Sequence, residues 1–321
     1  MNRIVIVGAG GIGTLTAHQL LKGPDADQLE VVVASRSGTV RIPGASTVAV
    51  DAADAEAMTR IAEGASVLIN AVNPTSYAQW AKQWPPMAHG FLTAAERTGA
   101  GLITVSNLYG YGPQVGALTE ETPLAATGTK GRIRAQMWVD ALDAAERSGV
   151  RVSEVRPSDY FGADGRKQGS LFNDFLLKPL LAGRTAWLPM GDLEAPHSWS
   201  YLPDIAKLTA VLATRGATED AVWGRPWHVP TSPPRSMNEV VADLAALGLV
   251  RAPRIRRVPA PVMAMARVIP LIRELDETAY QFERPFVLDA SAAEQTFGLT
   301  PTPWDQALRE TVAGFAEQGS H

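Results

Sequence analysis

The sequence predicts an α/β fold, a doubly wound parallel sheet with a smaller C-terminal lobe. Three features predict it. Short Val- and Ile-rich runs alternate with amphipathic stretches as far as residue 157. The first of these runs passes directly into a glycine-rich turn. Beyond Pro157 the texture changes, with Trp, Pro, Gly and polar residues breaking the apolar runs to about residue 200.

Continuous apolar strands separated by helical segments are what a parallel sheet covered on both faces requires. The strands are expected at Arg3–Val7, Glu30–Ala34, Thr47–Val50, Val67–Asn70, Leu102–Ser106 and Arg151–Arg156. The intervening helices are expected at Gly13–Lys22, Glu56–Glu63, Gln79–Thr98 and Gly131–Ser148. Leu202–Thr214 then reads as a helix and Pro226–Val229 as a further strand. From Pro233 the pattern is helix, basic loop, helix, and a closing helix at Trp304–Ala316. The basic run Arg251–Arg257 reads as a solvated loop. The expected division is 1–157 plus 197–231 for a nucleotide-binding domain, and 158–196 plus 232–321 for a substrate lobe.

Gly8-Ala9-Gly10-Gly11-Ile12-Gly13 follows the first strand and opens the first helix. That setting is what G-x-G-x-x-G needs to hold a dinucleotide, and it makes the sheet Rossmann-type. Gly8 serves the tight turn, Gly10 lets the backbone approach the pyrophosphate, and Gly13 lets helix and strand pack closely. The helix start, Gly11 and Ile12 included, offers free N–H groups and a partial positive charge to the phosphates. The second strand ends in Ser35-Arg36-Ser37. It lacks the carboxylate that takes the ribose 2′-OH of NAD. Arg36, with Ser35, suits a 2′-phosphate instead, so NADP(H) is expected in preference to NAD(H). Asp51, after the third strand, is expected either at the adenine amino group or as a helix N-cap.

Composition narrows the partners. The chain has 321 residues, a net charge of −4 and no Cys. The charge gives no basic stripe for nucleic acid. The missing Cys removes disulfides, thiolate nucleophiles and Cys-based metal sites. No His/Asp/Glu spacing suggests a metal. Val262–Ile272 is apolar but is broken by Arg267 and Pro270, short of the roughly 20 residues a membrane span needs. The expectation is a cytoplasmic protein, monomer or homodimer, with a small-molecule substrate and neither nucleic acid nor membrane as partner.

Further motifs follow in order. They are Ile69-Asn70-Ala71-Val72, Val105-Ser106-Asn107-Leu108-Tyr109-Gly110, Thr119-Glu120-Glu121-Thr122-Pro123 ahead of Lys130, Arg156-Pro157, and Ser200-Tyr201-Leu202-Pro203-Asp204-Ile205-Ala206. With the glycine turn, they resemble the extended short-chain dehydrogenase/reductase superfamily, in its NAD-dependent epimerase/dehydratase branch, over most of the chain. The resemblance implies that Ala71, Val72 and Pro157 line the cofactor. It also implies a catalytic Ser/Thr, a Tyr acting as acid/base, and a Lys four residues after the Tyr that holds the nicotinamide ribose. Ser106 falls near the Ser/Thr position and Lys130 on the Lys position. No Tyr-x-x-x-Lys occurs in the chain, and Ala126 stands where the Tyr would be. Three readings are open: Tyr109 or Tyr111 supplies the phenol, Lys130 or a substrate group moves the proton, or NADP is bound without redox turnover.

Ligands of open α/β sheets sit outside the carboxyl ends of the strands. The loops there are Asn73–Trp84, Asn107–Thr129 and Ser158–Gly169. They offer Asn73, Tyr77, Trp80 and Tyr160, and His197 lies just before the Ser200–Ala206 motif. Such a set suits a small, partly apolar molecule with a few polar anchors. Trp80 and Trp84, one helical turn apart, read equally well as core. The sequence thus reads as an NADP(H)-dependent oxidoreductase acting on a carbonyl or alcohol. The alternatives are a non-redox epimerase, dehydratase or isomerase using bound NAD(P), and an NmrA-like NADP-sensing regulator.

Overall fold

The structure, a computed structural model, describes residues 1–74, 76–163, 170–266 and 275–319. Residues 164–169 of the third expected ligand loop and the second half of Val262–Ile272 lie outside them. The chain alternates β1 (Asn2–Val7), α1 (Gly11–Lys22), β2 (Leu29–Ser35), β3 (Ser46–Ala49), α2 (Ala55–Ala62), β4 (Ala65–Asn70), α3 (Trp80–Thr98), β5 (Gly101–Val105), α4 (Thr129–Ser148) and β6 (Val152–Arg156). It continues through β7 (Tyr160–Phe161), a π-helical run Phe172–Leu177, α5 (Lys178–Leu181), β8 (Ala186–Leu188) and β9 (Ser200–Tyr201). Then come α6 (Leu202–Arg215), β10 (Pro226–His228), α7 (Met237–Ala246) and β11 (Ile255–Arg257).

Seven of these strands form one parallel sheet in the order β10-β6-β5-β4-β1-β2-β3. Side chains alternate faces along each strand, and the sequence fills both faces with apolar groups. Ile4 and Ile6 of β1 pack with Val31, Val33 and Ile69 under α1 and α6, through Ala17, Leu20, Leu202, Ile205 and Leu208. Val5 and Val7 pack on the other face with Val32, Leu68 and Leu102 under α2, α3 and α4, through Met58, Phe91, Ala95, Trp138 and Ala144. A third core, centred on Phe161, Phe172, Trp199, Val240, Leu244 and Trp304, fills the C-terminal part. There β7 pairs with β9 and β8 with β11.

Two local expectations are revised. The basic run is not all loop: Ile255–Arg257 is a strand parallel to β8, although Arg256 and Arg257 remain exposed. The fourth helix starts at Thr129 and not at Gly131, which matters for the site. Among the described residues, no helix is long and apolar enough to cross a membrane.

Candidate cofactor and catalytic site

The turn between β1 and α1 is fixed by backbone contacts that only glycine permits. Gly8 has φ +117°, and a Cβ there would meet the Ala71 carbonyl oxygen at 2.4 Å and the Val72 nitrogen at 2.8 Å. A Cβ on Gly13 would lie 1.8 Å from the Gly8 carbonyl oxygen. Ala71 and Val72 are therefore pressed against the turn, and α1 is pressed onto it from the other side. Gly10 is the exposed N-cap, with no side chain capping the helix and no acid in its first turn. Thr14 N–H donates to Gly10 O at 2.9 Å, so the N–H groups of Gly11, Ile12 and Gly13 have no intrahelical acceptor. The cradle fits the pyrophosphate of a dinucleotide.

At the end of β2, Ser35 Oγ accepts from Gly38 N–H at 3.1 Å, which shapes the turn. Arg36 is exposed, and none of the described residues accepts from it. Its neighbour Arg41 is held by Val40 O at 3.1 Å and Thr47 Oγ1 at 3.2 Å. Among the described residues, Arg36 is thus an unengaged cation beside the second strand. Asp51 is exposed and its Oδ1 accepts from Ala53 N–H at 3.0 Å. The N-cap of α2 is Asp54, which accepts from Ala57 N–H at 3.0 Å. Pro157 is buried directly after β6.

The loops after β4 and β5 bring together residues far apart in sequence. The Tyr77 and Tyr109 hydroxyls are 3.1 Å apart. Trp80 lies 5.2 Å from Tyr77 and 6.0 Å from Tyr109, ring to ring. Lys130, buried at the start of α4, sits 4.8 Å over the Tyr77 ring. Its amine is 3.6 Å from Glu277 Oε2, and its N–H donates to Glu277 Oε1 at 2.5 Å. Ala126 lies ahead of α4, its N–H donating to Gly110 O at 3.2 Å. It therefore does not share a helix with Lys130. On the helix, the residue one turn on from Lys130 is Arg134. That residue is buried and stacks on Trp84 at 4.1 Å and Trp80 at 5.0 Å. Trp84 is fully buried and Trp80 nearly so, so Trp80 serves both core and site.

Asp159, in the loop between β6 and β7, and His197, ahead of β9, join the cluster. His197 Nε2 is 3.1 Å from Asp159 Oδ2, and Nδ1 is 3.1 Å from Gln281 O. The ring stacks on Phe282 at 4.5 Å. Asp159 is close enough to Tyr109, Tyr160 and Tyr280 to disfavour their phenolates. Asn73 is exposed on the loop after β4, and Ser106 is buried just past β5, its N–H donating to Val155 O at 2.8 Å. Arg134 and Glu277 are not singled out by the sequence, whereas Asp159 lies on the expected ligand loop Ser158–Gly169. The four-residue step from Lys130 to Arg134 on one helix was the signal available for the first.

Tyr111 stands apart from this cluster. It is fully buried, and its oxygen accepts from Arg156 Nη1 at 2.8 Å. Its O–H donates to His228 Nε2 at 2.7 Å, and His228 Nδ1–H donates to Asp289 O at 2.8 Å. Burial holds His228 below its ordinary pKa, consistent with this neutral tautomer. Arg156 Nε also donates to Glu154 Oε2 at 2.7 Å. The Tyr111 hydroxyl is thus committed to a buried relay, which assigns it to the framework.

Burial pushes the Tyr109 phenol well above its ordinary pKa, helped by Tyr77 and Asp159. Tyr160 is raised by burial too, and Tyr280 is raised to about 12 by the same cause. Because these folded pKa values exceed the unfolded one, the stability they confer is full below pH about 10. It is lost as pH rises toward about 12. Tyrosinate absorbance is expected to rise in step with loss of circular dichroism over that window. Free titration near pH 10 with the fold intact would contradict this.

Among the described residues, no group of His, Cys, Asp and Glu could hold a metal ion. Residues 4–127, less than half of the chain, match the family described as saccharopine dehydrogenase NADP binding domain. No curated protein matches by sequence. Solved structures match over nearly all of both chains. The dTDP-glucose 4,6-dehydratase of Bacillus anthracis, in complex with NAD, has a TM-score of 0.77 at 17% identity, covering 100% of this chain and 98% of its own. The UDP-glucose 4-epimerase of Thermotoga maritima, with UDP-glucose, has 0.76 at 17%, covering 98% and 99%. A dTDP-glucose 4,6-dehydratase of Streptomyces venezuelae with NAD bound has 0.74 at 19%, covering 99% and 98%. At such identity the likeness is one of fold: the Rossmann-type architecture of the epimerase/dehydratase structures.

Proposed function

We propose that the protein is an NADP(H)-dependent oxidoreductase that reduces the carbonyl of a small, partly apolar metabolite. The observation that carries this is the Tyr77–Tyr109 hydroxyl pair, 3.1 Å apart beside Lys130, at the carboxyl edge of β4 and β5. The glycine cradle, the free Arg36 and the family match over 4–127 support the cofactor. Bound NADPH would supply the hydride.

The residues supply the proton. With Tyr77 donating to Tyr109, the Tyr109 proton is left to point at a substrate oxygen. Burial keeps that phenol protonated at ordinary pH. As hydride reaches the carbonyl carbon, that proton passes to the oxygen and completes the alcohol. Removing a proton from an alcohol would need the phenolate that burial disfavours, so reduction is the favoured direction. Lys130, over the Tyr77 ring, steadies negative charge developing on the pair. Trp80 and Tyr160 supply apolar walls.

The Asp159–His197 pair favours a second reading, a proton shift on the substrate around a bound cofactor, as in an epimerase or dehydratase. A panel of aldehydes and ketones, followed both by NADPH consumption and by product analysis, separates the two. Tyr109→Phe is expected to slow reduction about 10²-fold or more. Arg36→Ala is expected to weaken NADPH about tenfold and leave NADH unchanged. Products formed without NADPH consumption would overturn the redox reading. Equal NADPH affinity in Arg36→Ala would overturn the NADP preference.

A further inference from the structure

We propose that Arg134 binds the nicotinamide half of the dinucleotide, its guanidinium donating to the hydroxyl oxygens of the nicotinamide ribose. The inference rests on the reading that a dinucleotide occupies the glycine turn, and it names a residue for which neither the motifs nor the comparisons provide a role.

The first ground is an unmet hydrogen-bonding need. Arg134 is 5% exposed, yet Nε and Nη1 have no partner. None of the described carboxylates lies within ion-pair distance of it. Burial lowers its pKa only to about 10, so it stays charged at neutral pH. A cation withdrawn from water without an acceptor is costly. The charge of Glu154 and stacking on Trp80 and Trp84 offset part of that cost, but neither satisfies Nε or Nη1. An oxygen-bearing ligand would.

The second ground is place. With the pyrophosphate on the turn between β1 and α1, and the adenosine on the β2 side by Arg36, the rest of the cofactor extends the other way, over the ends of β4 and β5. The groups around Arg134 include Tyr77 and Trp80 from the loop after β4 and Tyr109 from the loop after β5, with Glu154 of β6 as the nearest opposing charge. The third ground is chemistry. A guanidinium presents several donors in a fixed fork, which suits the two neighbouring hydroxyls of a ribose. Lys130, to which the resemblance assigns this contact, is engaged by Glu277 through both its amine and its N–H. Arg134, one turn further into α4, is the cation left to serve the ribose.

Isothermal titration of the full chain with NADP⁺ and with adenosine 2′,5′-bisphosphate tests this, because the second ligand carries only the adenosine half. Arg134→Met is expected to bind NADP⁺ about tenfold or more weaker and the bisphosphate unchanged. Arg134→Lys keeps the charge under the tryptophans but loses the fork; it should fall between and decides the matter if the Met variant does not fold. Unchanged NADP⁺ affinity, or an equal loss for both ligands, would overturn the role of Arg134. Failure of the unaltered protein to bind the bisphosphate would instead overturn the dinucleotide reading, and this inference with it.

Discussion

Gly13→Ala is expected to abolish NADPH binding and to lower stability by about 3 kcal/mol, at the upper end of ordinary overpacking. On helix propensity alone the change would stabilise α1 by up to about 1 kcal/mol. The clash decides the sign. The new Cβ would lie 1.8 Å from the Gly8 carbonyl oxygen and 3.4 Å from Ile6 Cγ2. Gly8 has no side chain to yield, and the backbone of Ala71 and Val72 already occupies the place where a Cβ on it would fall. The helix start must therefore lift away from the strand, and the phosphate cradle opens with it. Urea unfolding and NADPH fluorescence measure the two effects. A variant that keeps both stability and binding would refute the interlock.

Arg156→Met is expected to cost about 3–5 kcal/mol, the range for breaking a buried ion pair from one side. Glu154 and Arg156 are each 3% exposed and bonded at 2.7 Å. Removing the guanidinium strands a buried carboxylate and takes a donor from Tyr111 as well. The double variant Glu154→Leu with Arg156→Met leaves no charge behind and is expected to recover most of the loss. A thermodynamic cycle by urea denaturation measures it. If the single and double variants are equally unstable, the cost lies in packing and not in the unpaired charge.

The parts that the sequence made legible are those where backbone geometry admits few residues. The turn at Gly8–Gly13 is one, since positive φ and backbone contact below 3 Å leave glycine alone. The strands β1, β2, β4, β5 and β6 are another, because burial on both faces demands unbroken apolar runs. The start of α4 was less legible. Gly128 is a weak N-cap signal with no side chain to bond the helix, and two residues of error there shift which side chains share a face. Ala126 precedes the helix that carries Lys130, and Arg134 falls outside the motifs. The Tyr77–Tyr109 contact spans 32 residues and the Lys130–Glu277 contact 147. Pairings of that range depend on the tertiary fold and leave no local period. Tyr111 was drawn toward the site by its neighbour Tyr109, but a short helical turn at Tyr109–Tyr111 sends the two hydroxyls to different partners.

The order of strands also sets a timetable. Pro226 of β10 lies beside Glu154 of β6, and α6, which covers one face of the sheet, begins at Leu202. During synthesis at roughly 5–20 residues per second, some 4–14 s separate the emergence of β6 from that of β10. Through that interval the nascent sheet has an open edge at β6, and Ile103 and Val155 wait for the apolar groups of α6 and β10 that later share their core. Unpaired strand edges and uncovered apolar groups favour aggregation, so folding yield should depend on how quickly the last strand arrives.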